Sequence, residues 1–277
     1  MVHHWAKGAV LLIRSLEDSL AHDGDHTSGM AVRHPYLDWP TPIALAHRGG
    51  GAEAPENTMR AYGHAVVLGY RYLETDVRVS ADGVVVVFHD EDLVRLGGRP
   101  ERVADLSASE LATVRVAGTE PIPTLDELLE TFPDARLNID CKSNSGVRPL
   151  VDVIHRHNAL DRVCLTSFSD RRVRSLRRAL GDRLCTAAGR WELAVLKVTG
   201  WSLGALAAQV PVRRGPITVV TPRFVRRCRR RGIAVHVWTI DDATEIHRLL
   251  DLGVDGIMTD RPTVLRDVLV SRDVWHE

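Results

Sequence analysis

From about residue 40 onward, short apolar runs alternate with amphipathic segments. The runs fall at 43–47, 70–77, 84–88, 136–141, 162–167, 183–187, 217–220, 233–238 and 254–258. Between them stand helix signals. Asn57 or Thr58 caps a helix reaching about Leu68 and closed by Gly69. Ser107 with Glu110 forms one capping box, and Thr124 with Glu127 forms another that opens a helix over 125–131. Unbroken apolar runs, as opposed to alternating ones, mark parallel strands covered on both faces. With 217–220, the weakest run, assigned to a loop, eight strands remain, the number a closed barrel needs. The pattern therefore predicts an α/β fold, a single TIM (β/α)8 barrel spanning 35–277. A doubly wound open sheet is the alternative, but Gly49-Gly50-Gly51 lacks the glycine spacing that normally follows its first strand.

Residues 1–34 read as an N-terminal extension. Val10, Ile13, Leu16 and Leu20 have helical spacing, and a polar stretch over 22–29 follows. Five consecutive apolar residues, Ala9 to Ile13, are too few for a signal-peptide core, and no run approaches transmembrane length. The four cysteines, Cys141, Cys164, Cys185 and Cys228, form no paired or zinc-like spacing. They read as reduced thiols, and the expected location is cytoplasmic.

Composition excludes wholesale disorder, since 44% of the 277 residues are hydrophobic. Charge adds one unusual feature. The 36 basic and 36 acidic residues cancel, but residues 1–140 carry 12 basic and 22 acidic side chains while 141–277 carry 24 and 14. Bulk attraction to nucleic acid is thereby disfavoured.

Polar residues cluster where the strand candidates end, which in a barrel is the active-site face. His47-Arg48, Glu74 and Asp76, His89-Asp90, Asp140 and Lys142, and Trp238 all hold such positions. Residues two apart on a strand point the same way, so Glu74 faces with Asp76, and Asp140 with Lys142. Three converging carboxylates repel unless a cation lies among them, and hard oxygen donors suit Mg²⁺ or Ca²⁺. Two histidines divide acid and base roles near neutral pH. One divalent cation, two cationic side chains, an acid and a base together suit a phosphate ester.

These residues fall into ordered motifs. His47-Arg48-Gly49-Gly50, Pro55-Glu56-Asn57-Thr58, Glu74-Thr75-Asp76-Val77, Asp82-Gly83 and Val87-Phe88-His89-Asp90 come first. Ile122-Pro123-Thr124-Leu125, Ser167-Phe168, Val237-Trp238-Thr239 and Gly256-Ile257-Met258-Thr259-Asp260 follow. Over about residues 35–268 the chain resembles the glycerophosphodiester phosphodiesterases. The resemblance implies a metal-dependent barrel hydrolase that releases glycerol 3-phosphate and an alcohol. It implies that His47 and His89 act as general acid and base, and that Glu74, Asp76 and Asp140 bind one divalent cation, Mg²⁺ or Ca²⁺. Arg48 and Lys142 would hold the phosphate, and Phe168 and Trp238 would line the substrate pocket. Asp140 departs from the Glu usual in the family's Glu-x-Lys motif. It is one methylene shorter and still an oxygen donor, as in the related venom phospholipases D.

Two rival readings accompany this one. On the same fold, the substrate could be a lysophospholipid cleaved as by a phospholipase D. Trp191, Leu193, Val195, Leu196, Val198, Trp201 and Leu203 would then line an acyl-chain groove, although ordinary core is the expected role. From a different class, the arginine-rich runs 171–178 and 223–231 would make a nucleic-acid or membrane binding module. Their apolar stripes, Val173/Leu176/Leu180 and Phe224/Val225/Cys228, favour the outer faces of barrel helices instead. The expected partner is a small phosphodiester and not nucleic acid, with membrane contact entering only if lysophospholipids are substrates. Oligomeric state is not readable.

Overall fold

The computed structural model describes residues 34–277. The helix and polar stretch expected within the extension lie outside the described residues. Eight parallel strands form the barrel: β1 (Ile43–Ala46), β2 (Tyr72–Val79), β4 (Arg136–Cys141), β5 (Val163–Thr166), β6 (Cys185–Thr186), β7 (Ala207–Val210), β8 (Ala234–Val237) and β9 (Gly256–Thr259). Their order is β6-β5-β4-β2-β1-β9-β8-β7, and a parallel bridge between Ala187 and Ala207 closes the ring.

Two strands differ from expectation. The valine run near 84–88 is not a barrel strand. Val85–Val87 forms β3, which turns back antiparallel along β2 with Val87 opposite Val77. It is apolar throughout because a small separate core covers its outer face, where Val86 and Phe88 pack with Leu93, Val103, Leu111 and Val114. The missing barrel strand is β7, Ala-Ala-Gln-Val, which has one β-branched residue and places Gln209 in the lumen, so its β signal is weak. Within the run at 217–220, Ile217 and Thr218 pair with Arg213 and Arg214 in a two-residue ribbon.

Eight longer helices follow in chain order, α1 (Met59–Val67), α2 (Leu125–Thr131), α3 (Val147–Arg156), α4 (Asp170–Leu180), α5 (Arg190–Thr199), α6 (Pro222–Arg230), α7 (Ala243–Leu252) and α8 (Pro262–Ser271). Their starts are written in the sequence. Thr58 caps α1 by accepting from the Ala61 amide, and both capping boxes form. The basic helices α4 and α6 bury the two expected stripes and turn most of their arginines outward, Arg177 of α4 being the exception that pairs with buried Glu192. No helix among the described residues is long and apolar enough to cross a membrane.

One core expectation fails. Of the apolar residues over 191–203, only Leu196 is fully buried, while Trp191, Val198, Trp201 and Leu203 are 62%, 74%, 46% and 54% exposed. The inner face of α5 is instead given to Leu196 and to Glu192, whose carboxylate accepts from the Leu203 and Ala205 amides and pairs with Arg177.

Strand alternation divides each barrel strand cleanly. Leu73, Val77, Leu137, Ile139, Leu165, Val235 and Ile257 face the helices. The lumen-facing residues change character along each strand. Tyr72 gives way to Glu74 and Asp76, Cys164 to Thr166, and Ile43 and Leu45 lead to His47. At the N-terminal end, Tyr36 and Leu37 pack against Ile43, Leu45 and Tyr72 as a floor. The Arg136 guanidinium lies over Trp39 and Tyr72 and donates to the Asp38 carbonyl at 2.8 Å and the Tyr72 hydroxyl at 2.8 Å. Higher up, Asn138 and Gln209 exchange amide hydrogen bonds across the lumen at 2.6 and 3.3 Å.

Candidate active site

At the opposite, C-terminal end the barrel opens into a cavity of about 710 Å³. His47, Arg48, Glu74, Asp76, His89, Asp140, Lys142, Phe168 and Trp238, separated in sequence by up to 191 residues, all line it. Each arrives by a different route. Glu74 and Asp76 are successive inward residues of β2, and Asp140 is paired with Asp76 across the β2–β4 ladder. His89 comes from the end of β3: the hairpin carries the chain out past Val79 and back, so that the Phe88 amide meets the Asp76 carbonyl at 2.9 Å. An antiparallel return thus delivers His89 to the position the sequence had assigned to a barrel strand.

His47 and Arg48 sit in a tight turn after β1. Arg48 adopts left-handed φ of 51°, a conformation uncommon for a residue with a side chain. Its amide donates to Glu74 Oε2 at 2.9 Å. Gly49 is needed beside it, since a Cβ there would lie 2.8 Å from the Ala61 side chain and 2.9 Å from backbone of α1.

The two histidines share one arrangement. His47 Nδ1 donates to Asp260 Oδ1 at 2.7 Å, and His89 Nδ1 donates to Asp90 Oδ1 at 2.7 Å. A carboxylate on Nδ1 fixes the ring and leaves Nε2 for chemistry. His47 Nε2 is 3.8 Å from Glu74. Burial works against protonation of His47, but the Glu74 charge and the Asp260 hydrogen bond outweigh it and raise its pKa. Asp90 is itself held down to about 2, with Arg95 and His89 overcoming its partial burial.

The carboxylates and cations interlock. Lys142 Nζ sits between Asp76 Oδ1 at 2.7 Å and Asp140 Oδ2 at 2.6 Å. Arg48 pairs with Asp76 at 3.0 Å and with Glu56 at 2.7 Å. Glu56 continues to Arg95, and Arg95 to Asp90 at 2.6 Å, so one chain of ion pairs runs from His89 to Asp140. The effects on protonation differ by neighbour. Burial would raise Asp76, yet Lys142 and Arg48 hold it below its ordinary value. Glu74 is pushed up to about 7 by burial and by the adjacent Asp76. Burial also raises Asp140 despite Lys142. Above the carboxylates, Phe168 and Trp238 meet edge to face at 5.9 Å, with Lys142 and Arg190 over the Phe168 ring.

The donor set fits a hard divalent cation in kind. All three carboxylates are buried, and Asp140 Oδ1 is a buried acceptor with no partner. Two of the three have raised pKa values that a nearby cation would lower. Among the described residues no three such groups stand at ligating geometry, and the Lys142 ammonium lies between Asp76 and Asp140. Glu74, Asp76 and Asp140 are the residues that would hold such a cation.

Four supporting residues were not singled out as site residues from sequence. Asp260 and Asp90 orient the histidines, and Glu56 joins the two arginines. Asn57, instead of capping α1, donates to Asp76 Oδ2 at 3.0 Å and accepts from the Tyr62 hydroxyl at 2.8 Å. Asp260 was the most readable of these, standing immediately after the last strand.

A barrel with paired, carboxylate-backed histidines and embedded cations at its C-terminal mouth defines a class, the barrel hydrolases of charged esters. Comparison with known proteins narrows it. The sequence profile of the Glycerophosphoryl diester phosphodiesterase family matches residues 47–264. A Mycobacterium tuberculosis protein named probable glycerophosphodiester phosphodiesterase 2 is 42% identical, covering 84% of this chain and 92% of its own. A human protein named lysophospholipase D is 29% identical, over 81% of this chain and 85% of its own. The crystal structure of a glycerophosphodiester phosphodiesterase from Thermotoga maritima superposes with a TM-score of 0.66 at 28% identity, covering 83% of this chain and 97% of that one. The chain belongs to the glycerophosphoryl diester phosphodiesterase family, a family of phosphoric diester hydrolases.

Proposed function

We propose that this protein hydrolyses glycerophosphodiesters to glycerol 3-phosphate and an alcohol, using one divalent cation, Mg²⁺ or Ca²⁺, held by Glu74, Asp76 and Asp140. The observation that carries the reading is the pair of histidines, each with Nδ1 at 2.7 Å from a carboxylate, on one cavity with Arg48 and Lys142. Arg48 and Lys142 neutralise the non-bridging phosphate oxygens. One histidine Nε2 takes the proton of the nucleophile, either the neighbouring glycerol hydroxyl or a water. The other returns a proton to the leaving alcohol oxygen. When bound, the cation supplies Lewis-acid polarisation of the phosphoryl oxygen. Phe168 and Trp238 form the apolar wall beside the leaving group. The four cysteines are buried and free, which supports a reducing, cytoplasmic setting.

Lysophospholipase D-type cleavage is the second reading. Leu193, Ile217, Val219 and Phe224 add an apolar side to the cavity wall, the chemistry an acyl chain would need, and the human relative carries that name. The deciding experiment compares glycerophosphocholine with lysophosphatidylcholine, following choline release from purified protein with added Mg²⁺ or Ca²⁺ and with a chelator. The proposal expects glycerophosphocholine turnover that the chelator abolishes. Exclusive turnover of lysophosphatidylcholine would establish the second reading, and turnover unaffected by the chelator would remove the cation.

A further inference from the structure

Beside the cavity mouth, α5 turns an apolar stripe outward. Trp191, Ala194, Val195 and Val198 follow helical spacing i, i+3, i+4, i+7, with Trp191 and Val198 exposed by 62% and 74%. Trp201 and Leu203 continue it past the helix end, and Ile217, 57% exposed, adds to it from the ribbon. This is not loose packing. The Asp170 carboxylate caps the start of α5 through the Trp191 and Glu192 amides, and Glu192 is anchored from within by Arg177.

The same flank is strongly and one-sidedly charged. From Leu193 to Ile240 the chain has no Asp or Glu but nine Lys and Arg. Five of these, Arg223, Arg226, Arg227, Arg230 and Arg231, line a cleft of about 400 Å³ between α5 and α6. The cleft and the stripe are one surface. Arg227 donates to the Val198 carbonyl at 3.0 Å, and the Arg231 guanidinium stacks on Trp201 at 4.8 Å. Among the described residues no carboxylate pairs with Arg223, Arg226 or Arg230.

We propose that this α5–α6 flank is the face on which the protein docks to an anionic phospholipid surface. The chemistry selects that occupant. Arginines held without counter-ions attract anionic headgroups. Exposed tryptophans and aliphatic side chains interleaved with them enter the headgroup–acyl boundary. A nucleic acid would use the arginines but has no place for Val198, Leu203 and Ile217. A second copy docking by the same face would bring two uncompensated arginine clusters together. Docking here sets the cavity at the lipid interface, since Leu193, Lys197 and Ile217 belong to its wall. The inference goes beyond the hydrolase assignment and does not depend on which diester is cleaved.

The test is flotation of the full chain at physiological salt with phosphatidylcholine vesicles, alone or containing about one third phosphatidylglycerol. Two double variants accompany it, Arg226→Glu/Arg230→Glu and Trp191→Ser/Val198→Ser. The wild type is expected to partition at least about tenfold more strongly onto the anionic vesicles, and each variant to lose at least about tenfold of that partition. Glycerophosphocholine turnover, measured in parallel, should not change in either variant. Three results would overturn the proposal. They are no binding to anionic vesicles, binding to single-stranded RNA without binding to vesicles, or a fall in molecular mass in the Trp191→Ser/Val198→Ser variant with vesicle binding intact. Vesicle binding by a protein inert towards every diester would leave the docking standing and remove the hydrolase reading.

Discussion

The two ends of the barrel are built from the same strands and behave as different materials. At the floor, Tyr36, Leu37, Ile43, Leu45 and Tyr72 fill the lumen, and the one charge, Arg136, is stacked between aromatic rings and hydrogen-bonded to backbone carbonyls. At the mouth, the next inward residues of those strands are Glu74, Asp76, Asp140 and His47, buried nearly as deeply. The floor is satisfied from within except at the Tyr36 hydroxyl, which is buried without a partner. The mouth is satisfied only by a chain of ion pairs, and it still leaves Asp140 Oδ1 without a partner and Glu74 pushed up to about 7. Burial is thus most costly at the mouth, where the proposed chemistry lies.

That division is sharpest at Lys142, a mouth residue with a structural duty. Replacing Lys142 by Met leaves Asp76 and Asp140 without their shared ammonium. The expected result is a loss of about 3–5 kcal/mol in urea unfolding, with turnover reduced at least about 100-fold. Unchanged stability would show that the carboxylates do not depend on the ammonium and would detach the ion-pair network from the fold.

His236 lies between the two ends, inside the lumen and fully buried, with neither ring nitrogen partnered. Burial lowers its pKa to about 4 from the ordinary 6.5. Between those values the unfolded chain binds a proton that the folded chain does not, so stability falls as the pH drops. Its stability contribution is complete above about pH 6.5, and about 2–3 kcal/mol of it is lost by about pH 4.5. The His236→Met variant should lack that increment when unfolding is compared at the two pH values. An identical pH dependence in both proteins would mean that the ring finds a partner in solution.

Within the floor a smaller pair of effects has opposite signs. The Tyr72 hydroxyl donates to the Tyr36 carbonyl at 2.6 Å and accepts from Arg136, whereas the Tyr36 hydroxyl is buried without a partner. Tyr72→Phe should cost about 1–3 kcal/mol, and Tyr36→Phe should be neutral or stabilise by up to about 1 kcal/mol. Thermal melts of the two variants read both signs directly, and a loss in each would reveal a water bound at Tyr36.

Much of this was legible beforehand. Apolar runs, capping boxes and the period of the strands were enough to give the barrel and most of its strands. All nine residues expected at the site line one cavity, most of them because they end barrel strands, His89 because an antiparallel hairpin brings it to the same place. What escaped was non-local. The Ala-Ala-Gln-Val of β7 carries little β signal, and the β3 valines looked like a barrel strand because a satellite core covers them. Asn57 suited a helix cap as well as a carboxylate partner, and the choice depends on where β2 lies in space. The stretch 191–203 was read as core because composition does not reveal that Glu192 takes the inward face.

Lys142 serves fold and site together, whereas His89 is proposed to serve chemistry alone, so His89 separates the two most directly. It is one-third exposed, belongs to no barrel strand, and its ring hydrogen-bonds to Asp90. Glycerophosphocholine hydrolysis and thermal unfolding should be measured on the same preparation of His89→Ala. Turnover should fall about 100- to 10,000-fold with the melting temperature unchanged. Near-wild-type turnover in that variant would remove His89 as the acid or base of the reaction.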